Sequence, residues 1–223
     1  DFYQVKERET KTRVEVYPDV IVRPSKDLMV RGGSFYAVWD EGAGLWSTDE
    51  YDVQRLIDAD LYTFAEQVEG PVHVRSLSSY KTSTWKEFRS YIGNMPDSHN
   101  QLDGTLTFAD TPPRKEDYST KRLPYSVKAG SIQAYDKMMS VLFAPDEREK
   151  LEWAIGSIIS GDSKKIQKFF VLYGEAGTGK STFLNILAQL FAGYDAVFDA
   201  KALTGSTNAF STESFKNNPL VAI

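Results

Sequence analysis

The sequence predicts an α/β protein in two parts, an α+β region over residues 1–125 and a second region over residues 126–223. Two observations support this prediction. In the first part, valine-rich and aromatic-rich segments are followed by segments of helical spacing. In the second part, a glycine-rich turn lies between a short apolar segment and an amphipathic segment. We place the boundary near residue 125, because prolines and turn residues crowd residues 94–130.

Strand signals begin the first part. TRVEVYPDVIVRP alternates and is rich in valine, which predicts a pair of strands. SFYAVWDEGAGLWS predicts a hairpin, because two aromatic-rich arms flank a turn that contains Gly42 and Gly44. VHVRSL predicts one more short strand.

Two helices are predicted in the first part. EYDVQRLIDADLYTFAEQV is predicted to be a helix, and TSTWKEFRSYIGNM a second one with Thr82 or Ser83 as its cap. We expect Trp85, on the second helix, to lie in the core. The apolar residues at helical spacing in the first helix are Val53, Leu56, Ile57, Leu61, Phe64 and Val68.

The second part is mainly helical in pattern. SIQAYDKMMSVLF predicts a helix from Ser131, and a second helix opens at Pro145, with acids in its first turn and Gly161 past its end. We expect Trp153 on this second helix to lie in the core. IQKFFVLY predicts a buried strand, and PLVAI predicts the start of another at residue 219. STFLNILAQLFAG predicts a helix that ends at Gly193, with an apolar face of Phe183, Leu184, Leu187, Leu190 and Phe191.

Composition excludes several classes of chemistry. The 223 residues contain no cysteine, which excludes disulfides, thiolate catalysis and cysteine zinc sites. The two histidines, His73 and His99, are far apart, which argues against a metal site or a catalytic triad. No apolar run reaches the roughly 18 residues of a membrane span and no signal peptide is visible, so we expect a cytoplasmic protein without a membrane partner. The net charge of −5 neither supports nor excludes nucleic-acid binding.

The glycine-rich turn matches the pattern G-x-x-x-x-G-K-[ST] without deviation. Amide groups of such a turn point inward at a phosphate, which requires a backbone without Cβ crowding. The helix that follows adds unpaired amide groups and a partial positive charge. The alternative is a glycine turn that only caps an ordinary helix. The candidate nucleotide-binding residues are Gly174, Glu175, Ala176, Gly177, Thr178, Gly179, Lys180, Ser181 and Thr182.

The motif assigns separate roles to three of these side chains. We expect the catalytic Lys180 to reach the β- and γ-phosphates of ATP. Ser181 is expected to ligate Mg²⁺, and Thr182 to lie beside the α-phosphate. ATP and Mg²⁺ are therefore the predicted cofactors.

Hydrolysis needs more than the turn. A P-loop NTPase also uses an acidic residue, usually Asp, at the end of a second strand. The downstream acids Asp195, Asp199 and Glu213 do not end an apolar strand in the sequence. We therefore expect the chain, which also lacks an initial Met, to be cut off before this acid, to bind nucleotide weakly and not to turn it over.

Several stretches resemble the superfamily 3 helicase of phage and plasmid primase-helicases, which is related to the poxvirus primase-helicase. Three carry most of the likeness: YSTKRLPYSV (118–127), LEWAIGSIISGD (151–162) and the Walker A block FFVLYGEAGTGKSTFLNILAQLFAGY. SFYAVWDEGAGLW and LDGTLTFAD (102–110) are similar more loosely. The resemblance covers roughly residues 30–223 and is most specific over 118–194.

The resemblance implies a fold and an activity. The second part would be a truncated AAA+-like P-loop NTPase core and the first part a collar or connector. The parent protein would be an ATP-dependent DNA helicase of a phage or mobile element, active in DNA replication. It would form a homo-oligomeric ring, usually a hexamer, on single-stranded DNA. The family's Walker B acid, sensor asparagine and arginine finger have no counterpart among these residues, and a primase site is not visible.

Other interpretations stay open. In one, the protein is a P-loop ATPase that remodels protein instead of DNA. In another, nucleotide binding only orders an oligomer. The basic residues Arg114, Lys115, Lys121 and Arg122 would touch a DNA backbone, or belong to a solvated loop or subunit contact. The aromatic residues Phe35, Tyr36, Trp39 and Trp46 would stack on bases, or form a core face, which their alternation favours. Residues 201–215 would be a mobile loop near an interface or a plain surface connection.

Overall fold

The computed structural model describes residues 2–21, 23–78, 84–197 and 220–223, which form a mixed α/β fold with small sheets. The chain divides into two compact units. Unit one comprises Asp1–Leu102 and Pro113–Thr120, and unit two comprises Asp103–Pro112 and Lys121–Ile223. The points where the chain changes from one unit to the other therefore lie within the turn-rich stretch. This stretch contains a 3-10 turn at Lys115–Asp117.

Unit one combines two small sheets with two helices. The first sheet has the strand order β1-β2-β6, with an antiparallel β1–β2 pair and a parallel β2–β6 pair, and the second is the antiparallel meander β3-β4-β5. The elements are β1 (Tyr3–Glu9), β2 (Val14–Val20), β3 (Leu28–Arg31), β4 (Ser34–Asp40), β5 (Leu45–Ser47), α1 (Glu50–Ala65), β6 (Val72–Val74) and α2 (Thr84–Ile92).

The core of unit one lies between helix α1 and the sheets. Val53, Ile57 and Leu61 of α1 are fully buried, as their spacing predicted. They pack with Val16 of β2 and with apolar residues of the other strands and of α2. Each buried aliphatic side chain of this kind stabilises the fold by about 1.5–3 kcal/mol.

The predicted hairpin is confirmed as β4–β5. Trp39 pairs with Trp46 across the strands, and both indoles are buried in a second cluster of unit one. Their rings meet edge-on with centroids 6.0 Å apart. Trp46 also donates from its Nε1 to the carbonyl oxygen of Lys115 at 2.9 Å. The two tryptophans therefore belong to the core and not to an exposed stacking surface.

One strand assignment at the start of the chain is wrong. The described residues of TRVEVYPDVIVRP form one strand, β2, and its partner is β1, over Tyr3–Glu9, where four of seven residues are charged. Most β1 side chains are exposed, because this strand lies at the edge of its sheet, and edge strands commonly carry charge. The predicted caps Thr82 and Ser83 of α2 lie outside the described residues.

Unit two is built mainly from helices. Its elements are α3 (Gln133–Leu142), α4 (Pro145–Ile159), α5 (Ser163–Ile166), α6 (Lys180–Leu190), β7 (Asp195–Ala196) and β8 (Val221–Ala222). The predicted helices from Ser131, from Pro145 and after the glycine turn are confirmed as α3, α4 and α6. β7 and β8 form a short parallel pair, and β8 lies in the segment for which PLVAI predicted a strand.

Helix α6 packs into two apolar clusters. Phe183, near its start, is buried with Met139 of α3 and Leu151 of α4. Phe191, just past its end, is buried with Leu123, Tyr194 and Val221. Gly193, with φ +85°, then turns the chain in the left-handed region that favours glycine.

Two expectations about unit two are wrong. IQKFFVLY does not form a buried strand: Ile166 ends the short helix α5, residues 167–175 have no regular structure, and Phe169 is 86% exposed. A strand needs a neighbour for its backbone groups, and none of the described residues pairs with this segment. Trp153 is 53% exposed, because α4 turns Leu151 and not Trp153 towards the core. Trp85, in contrast, packs against the core of unit one.

We predict that Asp58→Ala destabilises unit one by about 3 kcal/mol, because the buried Asp58 carboxylate accepts three hydrogen bonds. The donors are the amide groups of Leu77 (2.6 Å) and Ser78 (3.0 Å) and the Ser78 hydroxyl (2.5 Å). Urea unfolding followed by tryptophan fluorescence measures the change. The exposed Glu69, changed to Ala, is the control with less than about 0.5 kcal/mol effect. Equal unfolding midpoints for both variants would contradict this role of Asp58.

Candidate functional site

The glycine-rich turn forms a tight loop at the start of helix α6. Gly177 and Gly179 both have φ +82°, in the left-handed region where an L side chain is strained. Gly179 is also the residue that precedes the helix, and its carbonyl oxygen accepts from the Phe183 amide at 3.0 Å. Gly177 and Gly179 therefore adopt backbone conformations that would be strained for other residues.

The Lys180 side chain folds back into the loop. Its Nζ donates to the carbonyl oxygens of Gly174 at 3.0 Å and Glu175 at 2.6 Å, and to the Thr178 hydroxyl at 3.0 Å. The Thr178 hydroxyl in turn donates to the Glu175 carbonyl oxygen at 2.9 Å. The ammonium group thus lies within the turn that the motif assigns to phosphate.

The first turn of helix α6 presents the remaining groups that an anion needs. The first four amide groups of an α-helix have no partner within the helix, and the helix end carries a partial positive charge. Ser181 and Thr182 lie in this turn with exposed side chains. Glu175, Ala176 and Thr178 are exposed as well, so the loop is open to a ligand from solvent.

The corner between α3 and α4, at Leu142 and Phe143, packs against the loop and the start of helix α6. Leu142, the last residue of α3, lies so close to Gly179 that a Cβ there would stand 2.2 Å from Leu142 Cδ2. The next residue, Phe143, packs edge-on against Phe183 with ring centroids 5.2 Å apart. Two consecutive side chains therefore fix the start of helix α6.

An ion-pair cluster joins α3 to α4 and sets the position of that corner. Arg148 of α4 contacts Asp136 of α3 at 2.5 Å and Glu152 at 2.7 Å. Tyr135 of α3 donates to Glu152 at 3.0 Å. Burial, then the hydrogen bond to Glu152, raise the pKa of Tyr135 to about 12. Hydrogen bonds from Arg148 and Tyr135 lower the pKa of Glu152, so near neutral pH the tyrosine is a neutral donor and the glutamate is charged.

Sequence reasoning missed Leu142 and Phe143 as supports of the loop. The spacing of Met139 and Leu142 fits one apolar face of the predicted helix SIQAYDKMMSVLF, and that was the available signal. Spacing alone does not tell which element the face packs against. The contact with Gly179 joins residues far apart in the chain, and only the folded structure shows it.

Three of the four basic residues considered for DNA have partners within their own units. Lys115 forms an ion pair with Asp27 in unit one, and Arg114 lies 3.7 Å from Asp117. In unit two, Lys121 lies 3.6 Å from Asp103 and over the Tyr194 ring at 4.8 Å. Arg122 belongs to unit two and takes part in an interaction as well. The interpretation as structural loop residues accounts for these contacts.

The structure describes one of the three downstream acids and both histidines. Asp195 begins β7 and accepts from the Gly193 amide at 3.1 Å, whereas Asp199, Glu213 and residues 201–215 lie outside the described residues. His99 is exposed, and His73 lies on β6. Within 2–21, 23–78, 84–197 and 220–223, no group of three or more His, Asp or Glu side chains is placed to hold a metal ion. Ser181 is therefore the metal-ligand candidate that the motif provides.

Comparison with protein-family models, with curated proteins and with solved structures found no match to the chain. In the part of the chain that the structure describes, no helix is both long and apolar enough to cross a lipid bilayer. The features that support a nucleotide site are therefore the geometry of the loop, the contacts of Lys180 and the start of helix α6.

We predict that Gly179→Ala lowers the stability of unit two by about 1–3 kcal/mol from backbone strain alone, with a further cost from the collision with Leu142. In the double variant Gly179→Ala/Leu142→Ala the collision is removed. The alanine at position 179 should then lower the stability of unit two only by the backbone strain. Thermal unfolding of the two single variants and the double variant forms a mutant cycle that measures this coupling. Strictly additive effects would show that Leu142 does not press on the loop.

Proposed function

We propose that the chain binds ATP with Mg²⁺ through the loop Gly174–Ser181. The observation that carries the proposal is the Lys180 ammonium, held at the centre of a left-handed glycine turn that opens directly into helix α6. This arrangement combines a cation, unpaired helix amides and exposed hydroxyl groups at one point. A polyphosphate is the ligand that uses all three.

Each group has its own part in binding. Amide groups of the loop and of the first turn of α6 would donate to the β-phosphate. Lys180 would turn from the loop carbonyls to the β- and γ-phosphates. The exposed hydroxyl of Ser181 would ligate Mg²⁺, which is usually bound through a few protein oxygens together with substrate phosphates and water. Thr182 would lie beside the α-phosphate.

We further propose that this loop belongs to an AAA+-like P-loop NTPase core of an ATP-dependent DNA helicase that acts in DNA replication. The support is the resemblance of residues 118–194 to the superfamily 3 helicase of phage and plasmid primase-helicases. In that role the protein would form a ring, usually a hexamer, on single-stranded DNA in the host cytoplasm. Lys115 and Lys121 have acidic partners, so the quadruple basic set is not proposed as the DNA contact.

We predict that Lys180→Ala weakens binding of a fluorescent ATP analogue at least about tenfold, because a charge-assisted contact is worth about 1.5–3 kcal/mol. Equilibrium titration in the presence of Mg²⁺ measures the dissociation constants. Lys150→Ala is the matched control: its side chain is 67% exposed on α4 and pairs with Asp146 at 3.3 Å. Unchanged affinity in Lys180→Ala would overturn the nucleotide site.

The helicase proposal predicts coupling between nucleotide and DNA. A non-hydrolysable ATP analogue should lower the dissociation constant for a labelled single-stranded oligonucleotide by about fivefold or more, and Lys180→Ala should abolish the shift. Fluorescence anisotropy at fixed salt measures it, since salt alone changes DNA affinity. Nucleotide binding without any effect on DNA would contradict the helicase role and favour remodelling of protein partners or ordering of an oligomer.

A further inference from the structure

The Lys180 ammonium is fully occupied by the loop that surrounds it. An ammonium group has three donor hydrogens. Three oxygens of the loop lie within hydrogen-bond distance of Nζ: the carbonyl oxygens of Gly174 and Glu175 and the hydroxyl of Thr178. We refer to these three oxygens as the lysine cage. A phosphate can contact Lys180 only by replacing at least one of them.

Thr178 is the side-chain member of the lysine cage. Its hydroxyl accepts from Lys180 and at the same time donates to the Glu175 carbonyl oxygen at 2.9 Å. This single group therefore joins the lysine to the backbone of the loop. The two carbonyl oxygens are fixed by the backbone, whereas a hydroxyl changes partners by rotation about its own bonds.

We infer that the Thr178 hydroxyl holds Lys180 in a resting position inside the loop and competes with the terminal phosphates of ATP for the lysine ammonium. Thr178 is then a positioning residue that sets how readily the loop accepts a triphosphate. The inference deepens the proposed function and rests on it, because the competitor is the phosphate of the nucleotide. AMP is the contrasting ligand, since the motif directs the lysine to the β- and γ-phosphates that AMP lacks.

The substitution that tests this is Thr178→Val, which removes the hydroxyl at nearly constant shape. Thr178→Ser keeps the hydroxyl and is the matched control. Without nucleotide, we expect an amine-reactive ester to label Lys180 about threefold faster in Thr178→Val, as the loss of one hydrogen bond implies, and at the unchanged rate in Thr178→Ser. Peptide mass spectrometry measures the rates, with exposed Lys150 and Lys165 as internal references.

Nucleotide titrations complete the test. We expect Thr178→Val to bind ATP about threefold more tightly and AMP with unchanged affinity, whereas Thr178→Ser matches the original chain for both. Unchanged labelling of Lys180 in Thr178→Val would overturn the inference, because the hydroxyl would then not restrain the lysine. Weaker ATP binding by this variant would also overturn it, because the hydroxyl would then contribute to binding of the nucleotide. Faster labelling without ATP binding in any form of the protein would confirm the cage but overturn both the competition and the proposed function.

Discussion

The start of helix α6 is the constraint on which unit two depends. Phe183 must be buried against Met139 and Leu151, and this fixes where the helix begins. The chain can enter the helix there only through Gly179, because its backbone is left-handed and Leu142 fills the space that a Cβ would need. The packing that stabilises unit two therefore also brings the loop amides, Lys180 and Ser181 to the same point.

Support for this point comes from the α3–α4 corner. Arg148 ties the two helices together through Asp136 and Glu152. Leu142 and Phe143, at the corner, then press on Gly179 and Phe183. A site that must hold an anion in one geometry gains from such support, because rigid neighbours limit how far the binding groups move before the ligand arrives.

Local patterns predicted much of the fold and identified the candidate loop. Helices α1, α3, α4 and α6 and the Trp39–Trp46 hairpin followed from spacing and turn residues, and the glycine motif identified the loop directly. The failures have separate causes. The edge strand β1 is charged, the apolar stretch 167–175 finds no neighbour among the described residues, and the contact of Leu142 with Gly179 has no local signal.

The most direct test of the account is residue-resolved amide hydrogen exchange of the chain, with and without ATP and Mg²⁺. We expect slower exchange at residues 174–182, where the loop and the first turn of α6 carry amides that would donate to phosphate, with unit one unchanged. Exchange that stays the same at the loop, or protection that appears only in another part of the chain, would contradict the claim that this loop binds a nucleotide.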